Sequence, residues 1–190
     1  MAYKRRIFAL AALMVVAATA TFAATKLWPG QATVPEPAAP EPASITGQTG
    51  LPLPRFVSLK TAEVNVRRGP SRSHPIAWQY RRRGLPVEIV KEFENWRLIR
   101  DVDGDEGWVY HGLLAAQRHA VVAPWDKADL PRSIRERPES DRPASAQAES
   151  GAVVTVRRCT GTWCEVDAQG HRGWIEQAEL WGVYPNERFN

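Results

Sequence analysis

The distribution of apolar positions divides the chain into three regimes. Met1 to Arg6 is basic, Ile7 to Ala18 is an unbroken apolar run, and the apolar character continues to Ala24. Trp28 to Pro54 carries no hydrophobic period: Pro29, Pro35, Pro37, Pro40, Pro42, Pro52 and Pro54 interrupt Ala, Glu, Thr and Gly. From Arg55 onward, apolar and β-branched residues return in short runs bounded by turn residues. Ile76, Trp78 and Tyr80 alternate with Ala77, Gln79 and Arg81, and Val87 and Ile89 flank Glu88. That is the period-two pattern of strands with one face turned inward.

Strands are predicted over 55–60, 63–66, 76–81, around 87–89, 96–101 and 107–110. Between them, Arg68-Gly69-Pro70-Ser71, Arg81-Arg82-Arg83-Gly84 and Asp103-Gly104 are turn signals, with glycine supplying positive φ and proline presetting its neighbour, and Glu92 to Arg97 makes a short hairpin connection. No stretch holds a helical period over eleven residues. Short strands and Gly/Pro turns within about sixty residues predict a small barrel rather than a sandwich of seven or more strands.

The pattern then recurs. Pro70 and Pro75 match Pro138 and Pro143 at an offset of 68, and Gly84 and Trp96 match Gly151 and Trp163 at 67. Gly107-Trp108 and Leu114 match Gly173-Trp174 and Leu180 at 66, so two loops are each shortened by one residue. Residues from about 121 to 184 therefore read as a second copy. Its first half departs from the pattern: Arg137 stands where the first copy has Gly69, and Pro138 to Ser150 is poor in strand formers. An ordered early strand and a binding groove are both in doubt there. Its second half is intact in Val153–Arg158, Trp163–Asp167 and Gly173-Trp174-Ile175, and Trp181-Gly182-Val183-Tyr184 reads as an aromatic cap over a barrel end.

A basic start, an apolar run and small residues at Ala18-Thr19-Ala20 or Thr21-Phe22-Ala23 are the three parts of a secretory signal peptide. The alternative is an uncleaved anchor, since Ile7 to Ala24 is long enough to span a bilayer. Either reading puts the chain outside the cytoplasm, in the periplasm of an exporting cell or tethered to its inner membrane. That location argues against nucleic acid as a partner, permits disulfides, and confines membrane contact to an uncleaved N-terminal segment. The proline-rich stretch reads as an extended spacer.

Charge supports the same exclusion. Residues 1–51 carry 4 Lys/Arg and 2 Asp/Glu, residues 52–120 carry 12 and 8, and residues 121–190 carry 9 and 11. Lys4, Arg5 and Arg6 lie in the segment that cleavage removes, so the overall charge of +4 overstates the basicity of the mature chain. Eight Trp residues exceed what a small barrel can enclose and predict a partly exposed aromatic surface.

Asn65-Val66-Arg67-Arg68-Gly69-Pro70-Ser71, Gly84-Leu85-Pro86-Val87, Asn95-Trp96-Arg97-Leu98, Gly107-Trp108-Val109 and Leu114 together resemble, in order and spacing, the bacterial SH3 (SH3b) domain family. The resemblance implies an SH3-like β-barrel of exported and cell-envelope proteins, mostly serving as a non-catalytic module for cell-wall material or protein partners. The expected fold is thus all-β: two small SH3-like barrels in tandem, 55–120 and 121–184, the second divergent. They follow a signal or anchor helix over 1–24 and a disordered Pro-rich linker over 25–54, and precede a tail over 185–190.

If Val109 is in the core, Trp108 and Tyr110 share the outer face of their strand, with Trp96 beside them across the ladder. Arg67, Arg68 and Arg72, with Arg81, Arg82 and Arg83, form a positive rim on the first copy. Aromatic surface beside arginine suits peptidoglycan or an acidic loop of an envelope protein. The ligand-binding candidates are Arg67, Arg68, Arg72, Trp78, Tyr80, Trp96, Trp108 and Tyr110, against alternative readings as barrel packing and solvated charge.

Cys159 and Cys164 fall opposite Glu92 and Arg97 of the first copy, so a disulfide stands where an acid and a base can pair. Two free thiols, or redox or metal chemistry, are the other readings, the last disfavoured by the spacing. No convergent catalytic set is found. Cys164 with His171 is the best nucleophile–base pair and lacks an oxyanion donor. The four His show no ligand spacing, and Asp101–Glu106 has its Gly too early for a calcium loop, so no metal and no cofactor are expected.

Overall fold

The computed structural model describes residues 45–190. The proposed signal segment over 1–24 and the spacer up to residue 44 lie outside the described residues. The first set of strands is β1 (Ile45–Thr46), β2 (Pro52–Leu53), β3 (Arg55–Leu59), β4 (Val64–Arg67), β5 (Ile76–Tyr80), β6 (Pro86–Phe93), β7 (Trp96–Arg100), β8 (Glu106–Tyr110) and β9 (Leu114–Ala115). The second is β10 (His119–Val122), β11 (Arg132–Arg135), β12 (Ala144–Ala148), β13 (Val153–Thr160), β14 (Trp163–Ala168), β15 (His171–Glu176), β16 (Leu180–Trp181) and β17 (Arg188–Phe189).

Strand order is β5-β4-β8-β7-β6-β3-β9 in one sheet and β12-β11-β15-β14-β13-β10-β16 in the other. The two match strand for strand. They also bulge at matching places, between Val66 and Arg67 and between Ile134 and Arg135, and again between Ile89 and Lys91 and between Val156 and Arg158. A bulge bends a strand and sharpens its twist, which is how so short a sheet curls on itself. Each sheet wraps its own core. The first is built on Leu59, Val64, Val66, Val87, Ile99 and Val109, the second on Val122, Ile134, Val154, Val166, Ile175 and Leu180.

Closure needs a glycine. A Cβ on Gly107 would collide with Val66 Cγ1 and lie 3.0 Å from Trp78 Cη2; one on Gly173 would meet Ile134 Cγ2 at 2.5 Å and the Arg135 carbonyl oxygen at 2.6 Å. The Gly-Trp pair of each copy is therefore the point where a strand passes too close for any side chain. Gly69 works differently from the expectation: it is not among the positive-φ residues. Its constraint is the His74 ring packed where a Cβ would go, so Arg137 at the matching position needs no forbidden backbone conformation.

The doubtful first half of the second copy is ordered as β11 and β12. Small side chains make this possible: Ala146 pairs with Ile134, Ala148 is buried, and Ser145 Oγ donates to the Ile134 carbonyl at 3.0 Å. Strand propensity failed as a guide because the packing partner, buried Ile134, needs only a methyl-sized neighbour. Two segments read as spacer and tail are also folded. Residues 45–53 form the β1–β2 hairpin, and β17 pairs with β13 at Cys159 and Thr160.

Those two segments cap equivalent hairpin mouths. In the first barrel Glu92 stands opposite Arg97 and is almost wholly buried, with Arg97 Nε at 3.3 Å and Arg55 Nη2 at 2.6 Å. Thr49, on the β1–β2 turn, donates its N–H and its hydroxyl to the same carboxylate, each at 2.8 Å. In the second barrel Cys159 stands opposite Cys164, and the two form a disulfide.

The barrels meet through the C-terminal aromatic segment. Phe56 of the first barrel packs edge-on to Trp181 at 5.2 Å and against Tyr184 at 4.8 Å. Tyr184 Oη donates to Glu88 Oε1 at 2.8 Å. Ser58 Oγ gives its proton to the Gln117 carbonyl at 2.8 Å, so His119 Nδ1, 2.9 Å away, is the donor in that contact. Arg118 forks onto Glu187 and lies over the Phe189 ring at 4.8 Å. The segment over 181–184 thus acts as an inter-barrel wedge and not only as the cap of one barrel. The described residues fall within one compact unit.

Two outcomes follow from the hairpin mouths. Replacing both cysteines by serine lowers unfolding free energy by about 2 kcal/mol, the chain-entropy value for so small a loop, measured by urea denaturation. Burial pushes the Glu92 carboxyl up, but the Thr49 N–H, the Arg55 guanidinium and the Thr49 hydroxyl outweigh it and hold the pKa at about 2 against an ordinary 4.5. A carboxyl depressed on folding stabilises above its unfolded pKa and loses that contribution as pH falls through its folded one. Wild type therefore loses about 3 kcal/mol from this group as pH falls from the unfolded value through the folded one. Glu92→Gln, less stable at neutral pH, shows a correspondingly shallower acid slope.

Candidate functional site

The β7–β8 ladder pairs Arg97 with Val109 and Ile99 with Gly107 on its inner side. Val109 and Ile99 are fully buried, so the alternate residues turn outward. These are Trp96 paired with Tyr110, Leu98 with Trp108, and Arg100 with Glu106. Trp96 and Tyr110 meet edge-on, their ring centres 5.9 Å apart. Phe93, 43% exposed at the end of β6, packs edge-on to Trp108 at 6.5 Å. The result is a continuous outward patch of Phe93, Trp96, Leu98, Trp108 and Tyr110. Arg67 flanks it, paired in register with Trp108 and held by a 2.7 Å hydrogen bond from its Nη1 to the His74 carbonyl.

Three of the aromatic candidates, Trp96, Trp108 and Tyr110, therefore come together with Arg67. Arg68 and Arg72 lie exposed in the following loop, and no salt bridge engages either among the described residues. Trp78 and Tyr80 are elsewhere. Paired with the buried Val66 and Val64, they pack against the core as an edge-on pair 6.1 Å apart, and Tyr80 Oη donates to Asp101 Oδ2 at 2.8 Å. Burial, with the Asp101 charge behind it, pushes the Tyr80 hydroxyl well above its ordinary pKa, and burial also raises Asp101. Sequence reasoning missed Leu98 and Phe93. Leu98 was recoverable, two residues from Trp96 on the same strand; Phe93 reaches the face only across the tight hairpin, at whose tip Glu94 takes positive φ.

The second barrel does not present this face. At the matching register Glu176 replaces Tyr110 opposite Trp163, and Glu165 replaces Leu98 opposite Trp174. Arg158 binds Glu165 at 2.7 Å and covers the Trp174 ring at 4.9 Å, leaving that indole 9% exposed. The second copy satisfies its aromatic surface with its own cation.

Other candidate chemistry is already engaged. Cys164 is in the disulfide and so is not a free thiolate beside His171. Asp101 Oδ1 accepts the N–H groups of Asp103 and Asp105 at 3.0 and 2.9 Å, so its carboxylate organises the acidic turn. Among the described residues no three His, Cys, Asp or Glu gather as metal ligands. A cleft of about 740 Å³ at the barrel junction includes Arg55, Arg97 and Arg118 in its lining; Arg55 and Arg97 share the Glu92 carboxylate, and Arg118 pairs with Glu187.

The family model described as "Bacterial SH3 domain" matches residues 60–115 and 131–182, one match on each barrel. The chain belongs to the bacterial SH3 domain family. Among solved structures, this bacterial SH3 chain is similar to NlpC2 from Trichomonas vaginalis at 12% identity and to NlpC1 from the same organism at 13%, each with a TM-score of 0.30. Each alignment covers 67% of the chain, and 48% and 45% of those two proteins, so the chain spans about half their length. No curated protein matches it.

The two kinds of tryptophan separate on stability. Trp78→Ala, which opens the first core, costs about 3 kcal/mol, whereas Trp108→Ala on the outer face costs about 1 kcal/mol. Urea midpoints at constant m-value measure both.

Proposed function

We propose that this bacterial SH3 chain is an exported, non-catalytic module that binds cell-wall peptidoglycan in the periplasm through the outer face of its first barrel. The observation that carries the reading is the contrast between the copies. Phe93, Trp96, Trp108 and Tyr110 form an uncovered aromatic patch beside Arg67, while Arg158 covers the equivalent surface of the second barrel. Uncovered aromatic area rimmed by a guanidinium takes ligands that combine apolar or sugar faces with carboxylates, as peptidoglycan does. Family membership supports the same class of ligand, and the basic and apolar N-terminus supports export.

Sedimentation with purified sacculi tests it. The chain pellets with them, and Trp96→Ala with Trp108→Ala lowers the bound fraction about tenfold, a loss of about 1.4 kcal/mol. Leu98→Glu, which builds the second barrel's charge into the patch opposite Lys91, has the same effect without loss of stability; Trp163→Ala leaves binding unchanged. Wild-type protein remaining in the supernatant overturns the reading and leaves an envelope protein as the partner of this face.

A further inference from the structure

The turn between β5 and β6 carries Arg81-Arg82-Arg83-Gly84, and the fold does not require its arginines. Gly84 makes this turn at φ +77°, and Gly151 makes the matching turn of the second barrel at φ +76°. There Ala148-Glu149-Ser150 stands in place of the three arginines. Arg82 and Arg83 are exposed, and no salt bridge engages either among the described residues. They face the second barrel. With His119, Thr155, Asp167 and Gln169 they line a cleft of about 410 Å³ where the barrels meet.

This cleft holds donors that lack acceptors. Arg82 makes one long contact, from Nη1 to the Gly151 carbonyl at 3.5 Å. The side chains of Arg83, Thr155 and Gln169 make no hydrogen bond among the described residues. Asp167 is the one carboxylate in the lining, and both its oxygens are engaged. Its Oδ1 accepts the Gly170 N–H at 2.8 Å, and its Oδ2 accepts from Arg157 at 3.3 Å and Arg172 at 3.4 Å. The Gly170 N–H above all, then the two guanidinium groups, hold this carboxyl below its ordinary pKa against the effect of burial. Four arginines therefore stand about one ionised carboxylate, two from each barrel, which leaves a surplus of positive charge. That charge is felt inside the cleft. Burial first and the Arg83 guanidinium after it push the His119 imidazole below its ordinary pKa, against the Gln117 main chain.

The donor set narrows the ligand. A lone carboxylate brings one charge and two oxygens, and Asp167 already supplies that. A phosphate group brings about two charges and three strong acceptor oxygens, which suits guanidinium forks and a hydroxyl converging from two walls. Field from both barrels adds at such a cleft. We propose that this cleft binds a phosphate group, held between Arg82 and Arg83 of the first barrel and Thr155 of the second. A soluble phosphate ester and a phospholipid headgroup present the same chemistry. The inference goes beyond wall binding by the first barrel and does not rest on it.

The test is calorimetric titration of the full chain with pyrophosphate, and with citrate as a carboxylate of similar charge, at constant ionic strength. Pyrophosphate binds saturably below about 10 mM, and citrate binds at least about tenfold more weakly. Arg82→Glu with Arg83→Ser, which gives the first barrel the second barrel's own turn residues, weakens pyrophosphate at least about tenfold with its melting curve unchanged. Thr155→Val weakens it as well. Lys127→Gln with Arg137→Gln removes two exposed positive charges elsewhere and leaves binding as it was. No saturable binding, equal binding of citrate, indifference to the turn variant, or an equal loss in the Lys127 and Arg137 variant each overturns the proposal. Should the turn variant fail to fold, Thr155→Val against the Lys127 and Arg137 variant decides. Sedimentation with vesicles separates the two sources. A chain that pellets with phosphatidylcholine containing phosphatidic acid, and not with phosphatidylcholine alone, and that pyrophosphate releases, takes the phosphate from lipid. A chain that binds pyrophosphate and ignores both vesicles takes it from a soluble ester.

Discussion

Each barrel closes through one close crossing, where β4 meets β8 at Arg67 and Trp108 and β11 meets β15 at Arg135 and Trp174. In each sheet a single paired position joins the two-stranded hairpin, β4–β5 or β11–β12, to the remaining five strands, and it holds only because the residue before each Trp is glycine. Side chains alternate along a strand, so the glycine that clears the inside also directs its neighbour outward. The outward Trp108 is thus a geometric consequence of closure. Its partial exposure on the first barrel and the covering of its counterpart Trp174 on the second are separate matters, decided by what lies opposite.

The two copies diverge where one physical problem has two solutions. At the hairpin mouth, a buried carboxylate among arginines and a threonine does in one barrel what a covalent bond does in the other. The ionic version depends on a complete donor set, since a buried charge missing partners costs several kcal/mol. That dependence explains why Thr49, outside the expected barrel, is folded back onto Glu92. The disulfide makes no such demand, and the strand beside it, β17, contributes main-chain pairing. On the outer face the exchange runs the other way: the first barrel leaves hydrophobic surface uncovered, and the second spends a cation and a carboxylate to cover it.

The sheet and its duplication were legible because they rest on residues with few substitutes. Gly107 and Gly173 tolerate no Cβ, Trp96 and Trp163 begin matching strands, and the offsets of 68, 67 and 66 track two shortened loops. The outer aromatic trio was legible for the same reason, since alternation from a buried Val109 leaves no choice of face. Trp78 and Tyr80, two of the ligand candidates, lie against the core and apart from the outer trio, because alternation places residues on one side of a strand without saying which side is the core. That depends on their partners Val66 and Val64 across the ladder. Order in β11 and β12 was left in doubt because Ala and Ser carry little strand propensity, and the fit of Ala146 to Ile134 is a tertiary fact. The folding of 45–53 was hidden for a similar reason: prolines mark the segment as spacer, and only the buried Glu92 reveals what Thr49 is for.

The junction holds the two barrels in one fixed arrangement. Tandem modules on a flexible tether face an effective concentration set by the tether, which falls as it lengthens. Here Phe56 lies between Trp181 and Tyr184, Tyr184 is hydrogen-bonded to Glu88, and Ser58 is bonded to both Gln117 and His119. These contacts join the barrels by packing rather than by the short connection between Ala115 and His119. A fixed arrangement removes the entropy of searching for the second contact, but it helps only a ligand whose repeat matches the spacing. A repeating polymer of sugars and peptides meets that condition more readily than a single small molecule, because it offers the same groups at many positions along its length. The fixed arrangement itself is set by the wedge at Trp181–Tyr184.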